Sequence, residues 1–300
     1  MRVLKKEKGW VKIIPENLED LWFLYNRVKG KVVEQKSLRV KKIKKGDEII
    51  KGKREMREIA IKVEKSRWED GRVKVIGKIA KGEEQGKYHS FYLELGKEMK
   101  IELEEKLPEE EKYEIFVCLV DEKKALLGIY SSGKINLIGK IFAKDKAKFY
   151  KEIVNLLKKE KRDILIAGFG NIKEKIAKSV EKEVFVDSVS RVDEQGFKEL
   201  AKREVIKKII KKLREEKEKK LIERFLVEIK KIPEKVCYGG EVEKNKWKIK
   251  EVLVVSDKVG KYESVLREIE NNGGKVLIID SSRDYSSEIK NFEIIGVFWW

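Results

Sequence analysis

The chain has 300 residues, 41% hydrophobic and 42% charged, with 72 Lys and Arg against 54 Asp and Glu and a formal net charge of +18. The length exceeds one ordinary core and predicts two or three domains, the hydrophobic share with six Trp excludes a disordered chain, and no run approaches the ~18 apolar residues of a membrane span. A cationic surplus this large points to a polyanionic partner, nucleic acid first, against the alternative of a general preference for Lys and for the surface ion pairs of proteins working at high temperature.

From residue 1 to about 112 the pattern is mostly short alternating strands. "GWVKII" leads into a segment that places Leu18, Leu21, Trp22, Leu24 and Tyr25 at helical spacing. "KVVEQKSLRV", "REIAIKVEKSRWE", "GRVKVIGKIA" and "SFYLELGKEMKIELEE" follow, separated by Gly or charged turns. Several short strands with one helix predict a small antiparallel barrel. Residues 36–45 carry six basic side chains (Lys36, Arg39, Lys41, Lys42, Lys44, Lys45) and no acidic one. Such a run suits sequence-blind contact with phosphates, or a strand edge guarded by lysines.

Pro108 and the acidic residues 109–111 mark a linker, after which the pattern changes. "YEIFVCLVD", "KALLGIYSSG" and "INLIGKI" are predicted strands, residues 149–157 a helix, "DILIAG" a buried strand, residues 172–180 a helix and "VFVDSV" a strand. Strands alternating with helices indicate an α/β layer. A long helix follows, with apolar positions from Val205 to Ile229 in one stripe, interrupted by polar residues 214–220; it is expected to dock on its own sheet. Pro233 ends it. "KEVLVVSD" and "GKVLIIDS" flank a helix over residues 262–271, and "IIGVFWW" closes a compact α/β/α unit of its own. Cys118 and Cys237, far apart and in or beside apolar runs, are expected as buried thiols in a soluble cytoplasmic protein, with neither a disulfide nor a zinc site.

Some chemistry is absent. His89 is the only histidine, which argues against His-based zinc sites and a Ser-His-Asp triad; a lone His beside a strand is expected as a structural hydrogen-bond partner. No P-loop motif occurs. "GFGNIK" at residues 168–173 follows a strand and opens a helix, but Lys stands where a third dinucleotide-binding Gly belongs, so it is expected as a tight strand-to-helix turn. The carboxylates to test for catalysis are Asp47 and Glu48, beside the basic run, and Asp70 before a Gly turn.

Three stretches carry a resemblance: "IIPENLEDLWFLYNRVKGKVVEQKSLR", "GKYHSFYLELGKEMKI" at residues 86–101, and "ILIAGFGNIKEKI" followed by "VDSVSRVDEQGFKEL". Together they resemble the Pelota family in its archaeal form, a paralogue of the translation termination release factors. The resemblance is sharp over residues 1–101 and collinear beyond. It implies a multidomain α+β fold: an Sm-like β-barrel over 1–112, a central α/β domain with a long C-terminal helix over 113–232, and an L7Ae/L30e-like α/β/α partner-binding domain over 233–300.

The resemblance further implies a monomeric factor that enters the vacant A site of stalled ribosomes. There it would bind rRNA and mRNA and promote subunit dissociation in no-go and non-stop surveillance, with an elongation-factor-like GTPase and a recycling ABC ATPase. By this resemblance Lys36, Ser37, Leu38 and Arg39 fall on a loop that reaches the decoding centre. RNA contacts are then assigned to Lys36, Arg39, Lys41, Lys42, Lys44, Lys45, Lys87 and Tyr88, and partner contacts to Gly168, Phe169, Gly170, Ser188, Ser190 and Arg191. The family's Pro-Gly-Phe turn is replaced here by Gly168-Phe169-Gly170. Gly-Gly occurs before Glu241 and before Lys275 but never before Gln, so peptidyl-tRNA hydrolysis is not expected. No cofactor is expected. A divalent metal enters only with the alternative of an endoribonuclease in the first domain, acting through Asp47, Glu48 or Asp70. A third alternative is a ribosomal-protein-like RNA-binding module in the last domain.

Overall fold

Period-two alternation dominates the first hundred residues, and in the computed structural model it produces strands. The structure describes residues 1–45, 48–82, 84–109 and 111–300, and the side chains of residues 40–54 lie outside that description. The strands are β1 (Arg2–Glu7), β2 (Trp10–Ile14), β3 (Val32–Lys45), β4 (Glu48–Glu69), β5 (Arg72–Ile79), β6 (Tyr88–Leu93) and β7 (Met99–Glu102). They form a seven-stranded antiparallel sheet in the order β1-β2-β7-β3-β4-β5-β6, the Sm-like part of the fold. On β5, Val73 and Val75 are fully buried while Arg72 and Lys78 face water, as a sheet with one wet face requires. Helix α1 (Leu18–Arg27) is started by Asn17, whose side chain accepts from the Asp20 backbone N–H at 2.7 Å. It lays Leu21, Trp22 and Leu24 into the core that Ile13, Val33, Ile61, Leu93 and Ile101 line from the sheet.

Here the sequence expectation needs a correction. Residues 36–39 are not loop but strand. β3 pairs with β4 far out, with Lys36 opposite Glu58, Leu38 opposite Met56 and Arg39 opposite Glu55. The lysines disguise a run whose Val and Ile content favours the extended backbone. Across the ladder Glu58 and Glu55 stand opposite Lys36 and Arg39, whereas Lys42 stands opposite Lys51.

The central residues form β8 (Ile115–Val120), β9 (Lys124–Ser131), β10 (Lys134–Phe142), α2 (Lys146–Lys159), β11 (Asp163–Gly168), α3 (Ile172–Ser179), β12 (Phe185–Ser188) and α4 (Glu194–Leu200), followed by the long α5 (Glu204–Lys231). The sheet order is β10-β9-β8-β11-β12, with β8, β11 and β12 parallel. β8 is buried at every residue because both faces are covered. Ile153, Leu157 and Ile176 from α2 and α3 cover one face, and Phe197, Ile206 and Ile209 from α4 and α5 cover the other.

The last sheet orders β13 (Val236–Tyr238), β16 (Ile294–Phe298), β14 (Ile249–Val255) and β15 (Lys275–Ile279), with α6 (Gly240–Lys244), α7 (Glu263–Asn271) and α8 (Ser287–Lys290) between strands. Ile222 and Phe225, from the second half of α5, fill one face of this sheet. The single-sheet docking expected for α5 is therefore corrected: its two apolar halves serve two different sheets, and polar residues 214–220 stand where the stripe changes target.

By contacts the chain divides into two units, Met1–Glu110 with Lys219–Trp300, and Glu111–Glu218. Within the first, N-terminal and C-terminal segments share one hydrophobic core. The Trp68 indole N–H donates to the buried Ser256 carbonyl at 2.8 Å, the Tyr25 hydroxyl donates to Glu263 at 2.6 Å, and the Ile278 N–H donates to the Glu19 carboxylate at 3.0 Å. Trp22, Tyr25 and Trp68 stand 5.8–6.3 Å apart, two of the three pairs edge to face. Both cysteines are free and buried, and burial pushes the Cys118 thiol up to about 12 and Cys237 to about 11.

Candidate nucleic-acid interface and partner-facing turn

The stem of the β3–β4 hairpin is organised around Arg39. Its Nε donates to the Glu84 carboxylate, and another guanidinium N–H donates to His89 Nδ1 at 2.9 Å. A guanidinium has no acceptor, so Nδ1 must be the bare nitrogen, which leaves Nε2–H to donate to Ser37 Oγ at 3.0 Å. Burial, and then the Arg39 charge, lowers the His89 pKa and keeps the ring in that neutral form. The hydrogen bond from Arg39 holds the Glu84 carboxyl down at about 2. His89 is the structural partner expected of it, and Arg39 is braced rather than free.

Around this brace the other candidates spread over the surface. Lys36 is exposed opposite Glu58. Lys87 lies 3.2 Å from Glu84, and Tyr88, 59% exposed, donates to Glu64 at 2.9 Å with the Lys78 ammonium 5.6 Å above its ring. A groove of about 650 Å³ opens beside the stem, lined in part by Trp10, Gln35, Lys36 and Met56, with the Lys100 ammonium 5.2 Å over the Trp10 ring. Nothing in the sequence pattern singled out this groove, because its walls come from five separate strands. Lys41, Lys42, Lys44 and Lys45 continue along β3, and their side chains lie outside the described residues, as do Asp47 and the side chain of Glu48. Asp70, with φ +47°, sits in the turn joining β4 and β5 beside Glu69, which accepts from the Tyr92 hydroxyl at 2.7 Å. Among the described residues no group of three or more His, Cys, Asp or Glu stands ready to hold a metal ion.

The partner-facing candidates converge at one end of the central sheet. Gly168 ends β11 directly opposite Ser188 on β12, and the Val189 N–H reaches the Gly168 carbonyl at 3.4 Å. A Cβ on Gly168 would stand 2.0 Å from the Val120 carbonyl oxygen, so only glycine fits. Gly170 then turns at φ +75°, and the largely buried Lys173 clamps its carbonyl at 2.7 Å. The same ammonium pairs with Glu174 at 3.1 Å. The clamp leaves Phe169 projecting, 73% exposed. Ser190 is tied inward, its N–H and hydroxyl both donating to Glu199, at 3.1 and 2.6 Å. Those bonds, with Arg203, hold the Glu199 carboxyl at about 2. Arg191 is mostly exposed and pairs with Asp193, the N-cap of α4, at 2.5 Å.

An Sm-like sheet, an α/β layer and an L7Ae/L30e-like sheet in one chain define a class of multidomain α+β proteins. The comparisons then point within that class. Residues 1–108 match the Pelota N-terminal domain. Over 93% of this chain and 91% of the relative, the sequence is 29% identical to a protein pelota homolog of Archaeoglobus fulgidus, and it is 27% identical to that of Methanocaldococcus jannaschii over 97% and 96%. The crystal structure of Archaeoglobus fulgidus Pelota superposes with a TM-score of 0.78 at 25% identity, covering 100% of this chain and 99% of that one. A model of ribosome-bound archaeal Pelota and ABCE1 shares the fold at a TM-score of 0.53 and 21% identity, covering 100% and 99%. The first 108 residues are thus similar to a Pelota N-terminal domain, and the resemblance to archaeal Pelota proteins extends over 93% of the chain or more. Among the described residues no helix is long and apolar enough to cross a membrane.

Proposed function

We propose that the chain is a cytoplasmic ribosome rescue factor, acting as a monomer in the vacant A site of stalled ribosomes and promoting subunit dissociation. The observation that carries the reading is the likeness to archaeal pelota homologs along 93% of the chain or more. The net charge of +18 supports it, since a factor that must act on any codon, or none, needs grip on phosphates and not on bases. Lys36 and the lysines further out on β3 supply that grip, while Arg39, locked by Glu84 and His89, stiffens the stem that carries them. Lys87 and Tyr88 border the same stem.

The division into domains at residues 112 and 232 belongs to the same proposal. The exposed Phe169 between two glycines, with Ser188 and Arg191 beside it, is the contact for an elongation-factor-like GTPase. An ABC ATPase of the recycling kind is the second partner, as the pairing of Pelota with ABCE1 on the ribosome suggests. With no Gly-Gly-Gln in the sequence, peptidyl-tRNA stays intact. The test is subunit splitting of stalled ribosomes, with and without the GTPase and the ATPase. Splitting that depends on the chain and both partners is expected; ribosome binding with no splitting in the complete mixture would refute the reading.

A further inference from the structure

Three of the six tryptophans lie at one end of the last sheet, Trp247 in the turn before β14 and Trp299 and Trp300 just after β16, and all three are open to solvent: Trp247 is 58% exposed, Trp299 46% and Trp300 76%. The Trp299 backbone N–H donates to the Lys248 carbonyl at 3.0 Å, which seats the end of β16 beside the turn bearing Trp247. The flanks are basic. Val236 pairs with Val297 on one side and Ile249 with Phe298 on the other, so Lys235, just before β13, flanks the end of β16 on one side, and Lys248 and Lys250, at the start of β14, flank it on the other. The Lys248 ammonium stands 4.6 Å over the Trp247 ring. Glu251 and Glu268 are held by Arg224 and Lys246, at 2.9 and 2.6 Å, leaving Glu234 as the carboxylate beside Lys235 in sequence. Among the described residues Lys235, Lys248 and Lys250 form no ion pair.

Exposed indoles cost solubility unless something covers them. A folded protein partner anchors through side chains in a pocket, and the grooves beside Trp10 and beside Phe142 are lined by other residues than these. Exposed rings flanked by three ammonium groups that form no ion pair among the described residues match a different ligand: a strand whose bases stack while its phosphates meet the lysines. We infer that the end of β16 is a second nucleic-acid surface, which takes unpaired RNA by stacking on Trp247 and Trp299. It is separate from the hairpin of the first sheet.

The test uses the full chain and a fluorescein-labelled oligouridylate of about 12 nucleotides, followed by anisotropy. Trp247→Leu with Trp299→Leu is expected to weaken binding about tenfold. Trp247→Phe with Trp299→Phe, which keeps a stacking face, is expected to stay within about threefold of the parent. In the chain with Lys41, Lys42, Lys44 and Lys45 reversed to Glu, oligouridylate still quenches tryptophan fluorescence, so failure of the hairpin proposal and failure of this one are told apart. Equal losses in the Leu and Phe pairs would overturn stacking. A polyglutamate peptide that displaces the oligonucleotide as well as unlabelled RNA does would also overturn the inference, in favour of an acidic protein partner.

Discussion

Replacing Trp68 by Phe probes the seam on which the first unit depends. The indole N–H is the donor to the buried Ser256 carbonyl, at 2.8 Å, and Phe leaves that carbonyl without it. A buried acceptor stripped of its partner costs about 1–3 kcal/mol. The smaller ring adds on the order of 1 kcal/mol for lost contact with Trp22 and Tyr25, whose centroids lie 6.3 and 6.1 Å away. The sum is about 2–4 kcal/mol, a fall in melting temperature of roughly 4–16 °C for a unit of this size. Tryptophan fluorescence during urea unfolding is the right probe, because all six tryptophans belong to this unit and none to Glu111–Glu218. With five left in place, the variant should show one transition at lower urea. A loss below about 0.5 kcal/mol would refute the claim that this hydrogen bond and its aromatic neighbours hold the seam.

Three further outcomes are expected. Because burial and Arg39 depress the His89 pKa, the unfolded chain binds the proton more readily; stability is full above the ordinary value near 6.5 and falls as the pH drops below it, so the melting temperature at pH 5 should lie below that at pH 7.5, with the gap narrowing in His89→Asn. Gly168→Ala drives a methyl into the Val120 carbonyl and should cost about 1–3 kcal/mol in the central unit, seen as an earlier melt by circular dichroism with the tryptophan fluorescence transition unmoved. Reversing Lys41, Lys42, Lys44 and Lys45 to Glu should weaken ribosome binding and flatten its salt dependence with the fold intact, and an unchanged salt slope would remove the hairpin from the interface.

Most elements were legible from residue spacing. Leu18, Leu21, Trp22 and Tyr25 announce α1 by helical period, and Val73 and Val75 announce β5 by alternation. The length of the β3–β4 hairpin was hidden because consecutive lysines look like loop, whereas their backbone pairs in an antiparallel ladder with β4. In the sequence Arg39 is only one of six basic residues, and its engagement is invisible there: Glu84 is 45 residues away and no local rule joins them. The same holds for Lys173, which clamps the turn carrying Phe169, and for the approach of Gly168 to Ser188, which depends on parallel register. The two targets of α5 could be suspected from its polar interruption, yet periodicity names an apolar stripe and not what it faces.

The bond from Trp68 to Ser256 spans 188 residues, which sets a clock on synthesis. At ribosomal speeds that interval is roughly 10–40 s, during which the newborn sheet has emerged while its cover is still untranslated. Its aromatic flank therefore stays bare, a temporary adhesive surface. The chain is thus most vulnerable to clumping when its own translation pauses before the last third.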